Sequence, residues 1–111
     1  MDKITWANLG QFQENFTLEI AKLIVFAESQ GIPLRIKDAF RDERVHGRFG
    51  ERKGYGSPQS VHKLGLAVDL YTPNPEHHKI LHNHWDKVPY SAPRIANDMN
   101  HYSFVFDGKW Y

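Results

Sequence analysis

The chain has no cysteine, no large excess of charge of either sign and no long hydrophobic run. Without cysteine it cannot form disulfides, cysteine-based zinc fingers, iron–sulfur clusters or a thiol nucleophile, so any metal must be held by histidine and carboxylate side chains. Fourteen Lys and Arg residues against thirteen Asp and Glu give a formal net charge of +1, which predicts no nucleic-acid partner. No apolar run approaches the roughly 20 residues that span a bilayer, so no stable membrane insertion is expected.

The length and the N-terminal residues predict a single domain. At 111 residues the chain can bury one modest core but not two independent ones, so residues 1–111 are predicted to be one domain, and we expect a monomer. Residues 1–6 show no basic stretch followed by an apolar core. We therefore expect a protein that is made in the cytoplasm without a secretion signal.

Hydrophobic spacing predicts two helices. Residues 15–30 place apolar side chains on one helical face, and Gly31 and Pro33 are expected to end this helix. A second helix is predicted after Asn74, the expected N-cap, with Pro75 at the first helical position. Its predicted buried face consists of Ile80, Leu81, His84, Trp85 and Val88.

Alternating apolar residues predict three strands, over residues 34–40, 66–71 and 102–106. In the second strand, Leu66, Val68 and Leu70 are expected to point inward and Asp69 to lie on the opposite face. Strands and helices together indicate an α+β domain.

Two histidines and one aspartate stand at the predicted strand edges: His62 before the second strand, Asp69 within it and His101 at the start of the third. From His62 to Asp69 an extended chain would span about 23 Å, so a shared metal requires a bend, which Gly65 is positioned to allow. Two histidines and a carboxylate leave one position of a tetrahedral zinc open, which is the catalytic pattern. Asp98 precedes His101 by three residues, and a turn would bring it near the metal as a general base.

Three blocks of the sequence resemble one known family. Residues 60–70, SVHKLGLAVDL, resemble the S-x-H-x-x-G-x-A-x-D-L signature of the zinc D-Ala-D-Ala carboxypeptidase and L-Ala-D-Glu endopeptidase family of bacteria and phages. Residues 98–104, DMNHYSF, resemble its second signature, an acid three residues before a histidine that opens a strand. Residues 39–42, AFRD, look like its strand-end arginine, and the blocks keep the family's order over residues 34–106. Residues 88–94 depart from the Trp- and Gly-rich stretch that small phage members often carry there.

The resemblance implies a fold and roles for six residues. The fold is a hedgehog/DD-peptidase-like α+β domain, with a small antiparallel sheet, helices packed on one face and the zinc cleft on the other. The implied roles are zinc coordination by His62, Asp69 and His101, proton transfer by Asp98, binding of a substrate carboxylate or the oxyanion by Arg41, and a hydrogen bond near the substrate from Ser60.

The implied activity is zinc-dependent hydrolysis of an amide bond in the peptide stem of peptidoglycan. Within the family we favour an L-alanyl-D-glutamate endopeptidase that acts as a phage or prophage endolysin in host cell lysis. A separate holin-like protein would give it access to the wall. The alternatives are a D-alanyl-D-alanine carboxypeptidase or dipeptidase, and a non-catalytic zinc-binding interaction domain of the same fold.

Several of these residues also have plainer interpretations. Arg41 fits a surface ion pair, and Ser60 fits a turn hydroxyl that bonds the local backbone. Tyr71 and Tyr102 flank predicted ligands and are candidates for cleft walls. We interpret the histidines of the second helix as a solvated face, because the pair at positions 78 and 82 lacks the glutamate of the zincin motif. The catalytic zinc is expected to ignore His46, His77, His78, His82 and His84.

Overall fold

A computed structural model of the chain describes residues 3–40, 48–51 and 60–108. Within these ranges, two helices and a three-stranded antiparallel sheet form a small α+β fold, as predicted. None of the helices in the described ranges is both long and apolar enough to cross a bilayer. The elements in chain order are α1 (Leu9–Ser29), β1 (Arg35–Asp38), a 3₁₀ helix (Val61–Leu64), β2 (Ala67–Tyr71), α2 (His77–Trp85) and β3 (His101–Ser103).

Helix α1 begins earlier than the predicted residue 15, because its apolar stripe extends a turn towards the N-terminus. The buried residues are Phe12, Phe16, Ile20, Leu23 and Ala27. The helix ends as predicted, since Gly31 adopts a positive φ of 70°. The N–H of Ile32 then donates to the carbonyl of Ala27 at 2.9 Å, which is the closing bond of a Schellman motif.

The sheet has the order β1-β2-β3, with both pairings antiparallel. Val68 lies opposite Tyr102, and Asp69 lies opposite His101. Directly opposed residues share a face of the sheet and successive residues alternate, so these two pairs occupy opposite faces. The predicted separation of Asp69 from the inward-pointing residues of its strand is thus confirmed, since Val68 and Leu70 are buried.

Both helices pack on the sheet face that carries Tyr102. Phe16 of α1 contacts Trp85 of α2 and Phe104, with ring centroids 5.8 Å and 5.1 Å apart. The indole N–H of Trp85 donates to the carbonyl of Ser103 at 3.2 Å, which fixes α2 against β3. Trp85 and Phe104 are essentially fully buried and dominate this core. The face with Asp69 and His101 is therefore the one opposite the helical layer.

Helix α2 is rotated relative to the prediction. Its start also differs, because the Asn74 side chain accepts the N–H of Glu76 at 3.1 Å within a turn before the helix, and the helix itself begins at His77 with Glu76, not Asn74, as its N-cap. Ile80, predicted to be buried, is 40% exposed. The buried face instead consists of His78, Leu81, His82 and Trp85.

The expectation of a solvated histidine face on α2 is consequently wrong. His78 is 6% exposed and His82 is 1% exposed. Leu81 and Trp85 set the phase of the helix because both are completely buried, and positions 78 and 82 lie on the same face by helical spacing. Hydrophobic spacing does not predict this burial, because a hydrogen-bonded neutral imidazole can be buried although histidine is polar.

Candidate metal centre

Three elements bring together the side chains that the sequence predicted as metal ligands. His62 comes from the 3₁₀ helix, Asp69 from the centre of β2 and His101 from the start of β3. One potential ligand atom from each lies within 4.8 Å of the other two. The side chains of His62 and His101 are 2% and 3% exposed, and that of Asp69 is 17% exposed. This buried group could hold a metal ion.

The bend between His62 and Asp69 depends on two small residues. Ser60 caps the 3₁₀ helix, and its Oγ accepts the backbone N–H of His62 at 3.2 Å. Gly65 ends the helix in the left-handed region at φ 67°, as the predicted bend requires. The carbonyl of Leu64 accepts the side-chain amide of Gln13 at 2.6 Å, so the turn is also tied to α1.

The imidazole of His62 is oriented by the backbone. Its Nδ1 lies 2.8 Å from the carbonyl oxygen of Ala39, which follows β1. Because a carbonyl oxygen can only accept, Nδ1 carries the proton and donates. Nε2 then faces Asp69, with its lone pair available in the neutral ring. A ligating histidine that donates its other N–H to a carbonyl is the usual arrangement around protein-bound metals.

Asp69 lies between the two rings. Its Oδ1 is 3.3 Å from Nε2 of His62 and 3.2 Å from Nδ1 of His101. Burial alone would raise the pKa of Asp69, but the hydrogen bond with His101, the hydrogen bond that His62 donates when its ring is protonated, and the positive charges of the two protonated rings together hold the pKa well below its usual range. The carboxylate is therefore ionised at neutral pH, as a metal ligand must be.

Beneath β3 lies a second set of polar groups that the sequence interpretation missed. His82 donates its Nε2 proton to the carbonyl of Met99 at 2.6 Å, and its ring stacks on Tyr102 with centroids 4.3 Å apart. Nδ1 of His78 lies 2.7 Å from the hydroxyl of Tyr102. Tyr102, a predicted candidate for a cleft wall, is instead completely buried in this layer, whereas Tyr71 is 41% exposed on the Asp69 face. The missed signal was helical spacing, since His78 lies three residues before Leu81 and His82 lies three residues before Trp85.

Burial also changes the protonation of these helix histidines. Desolvation lowers the pKa of His78, with a smaller contribution from the neighbouring His77. Desolvation likewise lowers the pKa of His82, although the hydrogen bond to Met99 opposes the shift. Both imidazoles are therefore neutral supports of β3 at physiological pH.

The remaining predicted site residues have different outcomes. Asp98 is half-buried in the turn before β3, where its carbonyl accepts the N–H of His101 at 3.1 Å. Its role as a base stays a prediction. Ser60 is buried and makes the local backbone bond described above, and its contact with substrate stays a prediction. Arg41 and His46 lie outside the described residues.

A cavity of about 710 Å³ lies elsewhere, between the N-terminal segment and the residues that follow β3. Ile4, Trp6, Tyr90 and Phe106 supply most of its apolar lining. None of the three grouped side chains lines it, so the cavity and the candidate metal centre are separate features.

No family model, curated protein or solved structure matches this chain.

Proposed function

We propose that this chain is a zinc-dependent peptidase that hydrolyses an amide bond in the peptide stem of bacterial peptidoglycan. The favoured activity is that of an L-alanyl-D-glutamate endopeptidase of the hedgehog/DD-peptidase fold, acting as a phage or prophage endolysin. The observation that carries the proposal is the buried group of His62, Asp69 and His101, with Asp98 in the turn that leads into it.

Two of the three distances between the donor atoms are those expected of a zinc site. Bonds of about 2.0–2.1 Å at tetrahedral angles put neighbouring ligand atoms about 3.3–3.4 Å apart. Oδ1 of Asp69 lies 3.3 Å and 3.2 Å from the facing nitrogens of His62 and His101. Three protein ligands leave a fourth position for water or substrate. When bound, zinc would supply a Lewis acid and an acidified water at this position.

The protein residues would supply orientation and proton transfer. The Ala39 carbonyl keeps His62 in one tautomer. Asp98 would accept the proton of the attacking water on its carboxylate as the new C–O bond forms. It would then deliver that proton to the amide nitrogen as the C–N bond breaks. Arg41 would bind a carboxylate of the peptide or the oxyanion.

The activity can be tested by combining metal analysis with mass spectrometry of purified sacculi digested by the protein. We expect one zinc per chain and fragments that end at the bond between L-Ala and D-Glu. Release of free D-Ala without that cleavage would favour the D,D-carboxypeptidase alternative. A zinc-loaded protein that cleaves no wall substrate would favour a non-catalytic zinc-binding domain.

Asp98→Asn tests the base separately from the metal. The substitution keeps the shape of the side chain and removes its ability to accept a proton, so we expect kcat to fall by about 10²–10⁴-fold while zinc stays bound. Asp107→Asn is the matched control, because Asp107 lies in an exposed turn at φ 48°, a conformation that asparagine tolerates well. Full activity in the Asp98 variant would remove this residue from the mechanism.

A further inference from the structure

Two cationic side chains and one aromatic ring share the sheet face of the candidate metal centre. Arg35 is the register partner of Tyr71, and Tyr71 follows Asp69 by two residues on β2. Residues two apart on a strand lie on the same face, with Cα atoms about 7 Å apart. Arg35 and Tyr71 therefore adjoin the metal centre, on the face opposite the helices.

Lys37 joins them through an irregularity of β1. The register shifts between Ile36 and Asp38, so Lys37 is the residue without a direct partner on β2. Its ammonium lies 5.9 Å from the centroid of the Tyr71 ring, and the guanidinium of Arg35 lies 5.5 Å from the same centroid. The ring thus holds two cations close together.

These cations are available to an anion from outside. Arg35 and Lys37 are exposed, and within residues 3–40, 48–51 and 60–108 neither makes an ion pair with a carboxylate. Asp38, the nearest acid on β1, already has an interaction of its own. Two like charges beside a metal site repel each other, and a bound anion relieves that repulsion.

We propose that Arg35, Lys37 and Tyr71 form a carboxylate-binding subsite beside the metal centre. It would take an acidic group one or two residues from the cleaved amide. An extended peptide covers about 3.3–3.6 Å per residue, and the Cα atoms of Asp69 and Tyr71 lie about 7 Å apart along β2. The guanidinium can bind a carboxylate with two parallel hydrogen bonds, and the ammonium adds a point charge. The inference rests on the proposed function, since the acidic peptide is the stem of peptidoglycan.

Binding of a ligand that cannot be cleaved tests the subsite apart from catalysis. The first probe is the dipeptide γ-D-Glu-Lys, which lacks the L-Ala–D-Glu bond. The second is the same dipeptide with the α-carboxylate of its D-Glu residue converted to a carboxamide. NMR titrations of the zinc-loaded protein would give both dissociation constants. We expect the carboxylate form to bind about tenfold more tightly, with the preference falling to about twofold in the Arg35→Gln/Lys37→Gln double variant.

The controls separate a local effect from a general effect of charge. Lys22→Gln removes one positive charge from an exposed position of α1, where Lys22 pairs with Glu19, and should leave the preference unchanged. Arg35→Lys keeps the positive charge and should retain part of the preference for the carboxylate probe. Equal affinities for both probes in the wild type, or an unchanged preference in the double variant, would overturn the subsite.

Hydrolysis of Ala-γ-D-Glu-Lys by the same preparations is measured in parallel. Carboxylate preference without hydrolysis would contradict the proposed peptidase and leave the subsite standing. Hydrolysis without carboxylate preference would support the proposed peptidase and overturn the subsite.

Discussion

In two histidines near the sheet, a hydrogen bond from one ring nitrogen to a backbone carbonyl determines the role of the ring. In His62 the Ala39 carbonyl fixes the proton on Nδ1, so Nε2 faces Asp69. In His82 the Met99 carbonyl fixes the proton on Nε2, and Nδ1 is the buried side-chain atom in the described ranges that has no hydrogen-bond partner. A hydrogen bond from a ring nitrogen to a backbone carbonyl thus orients His62 as a candidate ligand on one face of the sheet. The equivalent bond makes His82 a support for the turn before β3 on the other face.

The support can be tested by replacing His82 with two residues of different hydrogen-bonding ability. His82→Leu leaves the Met99 carbonyl without its donor, and we expect a loss of about 1–2 kcal/mol in the free energy of unfolding and weaker zinc binding. His82→Gln, whose terminal amide can reach a similar point, should recover part of both. Urea denaturation and a competing chromogenic chelator measure the two effects. Equal zinc affinity in the leucine variant and the wild type would show that the contact does not organise the metal centre.

Burial of the helix histidines also predicts a pH dependence of stability. The pKa of His82 is lowered from its ordinary value of 6.5 in the folded state, so at mildly acidic pH the unfolded chain binds a proton that the folded chain resists. The contribution of His82 to stability is therefore complete above the unfolded pKa and is lost as the pH falls through 6.5 towards the folded pKa. We expect the free energy of unfolding in EDTA to drop between pH 7.5 and 5.5. The drop should be smaller for His82→Gln, and an identical drop would contradict this origin.

At the scale of elements, the segment from Ser60 to Tyr71 is the part of the site that the sequence predicts best. Its glycine bend, its alternating strand residues and the approach of the two candidate ligands that it carries, His62 and Asp69, all appear in the structure as expected. The sequence also predicts the apolar stripe of α1 from Phe16 onward, although Phe12 extends it by one turn. The phase of α2 was not, because the decision between Ile80 and His82 depends on a partner, Met99, that lies in a distant turn. Periodicity reports which residues share a helix face, but long-range hydrogen bonds decide whether a polar residue can be buried there.

Gly65 provides a test at this scale with a matched control in the same chain. Gly31 and Gly65 have nearly the same backbone conformation, at φ 70° and 67°, but an added Cβ meets nothing within 4 Å at Gly31 and the Gln13 amide at 3.3 Å at Gly65. Gly31→Ala should therefore cost the left-handed strain alone, about 1–2 kcal/mol. Gly65→Ala should cost more and also weaken zinc binding, because the bend between His62 and Asp69 would shift.

Urea denaturation and chelator competition of the two variants measure this difference. Adding Gln13→Ala to the Gly65 variant should relieve the crowding but also removes the bond to Leu64, so only partial recovery is expected. Equal losses of stability in the two glycine variants, with unchanged zinc affinity, would show that the contact with Gln13 is unimportant.

At the scale of the whole molecule, the candidate ligands come from three elements that the sheet brings together. The sequence motif predicts which residues meet, but not how their neighbours are arranged. Neither the pairing of Arg35 with Tyr71 nor the bulge at Lys37 is visible in a pattern of alternating residues, because both depend on strand register. Tertiary pairing therefore determines the surroundings of the candidate metal centre even where local sequence predicts its candidate ligands.

A metal held between separate elements should stabilise the entire fold. A ligand that binds only the folded state adds about 2.7 kcal/mol when its free concentration is 100 times the Kd. For a domain of this size that corresponds to a rise in Tm of about 10 °C. We expect such a rise on adding zinc to the EDTA-treated protein, measured by circular dichroism.

Asp69→Asn should abolish the rise in Tm, because the charged ligand between the two histidines is lost. His84→Gln, which alters a half-buried α2 ring stacked on Phe26, should lower the Tm slightly and keep the rise. Loss of the rise in the His84 variant, with retention in the Asp69 variant, would place the bound zinc on the helix instead of the sheet.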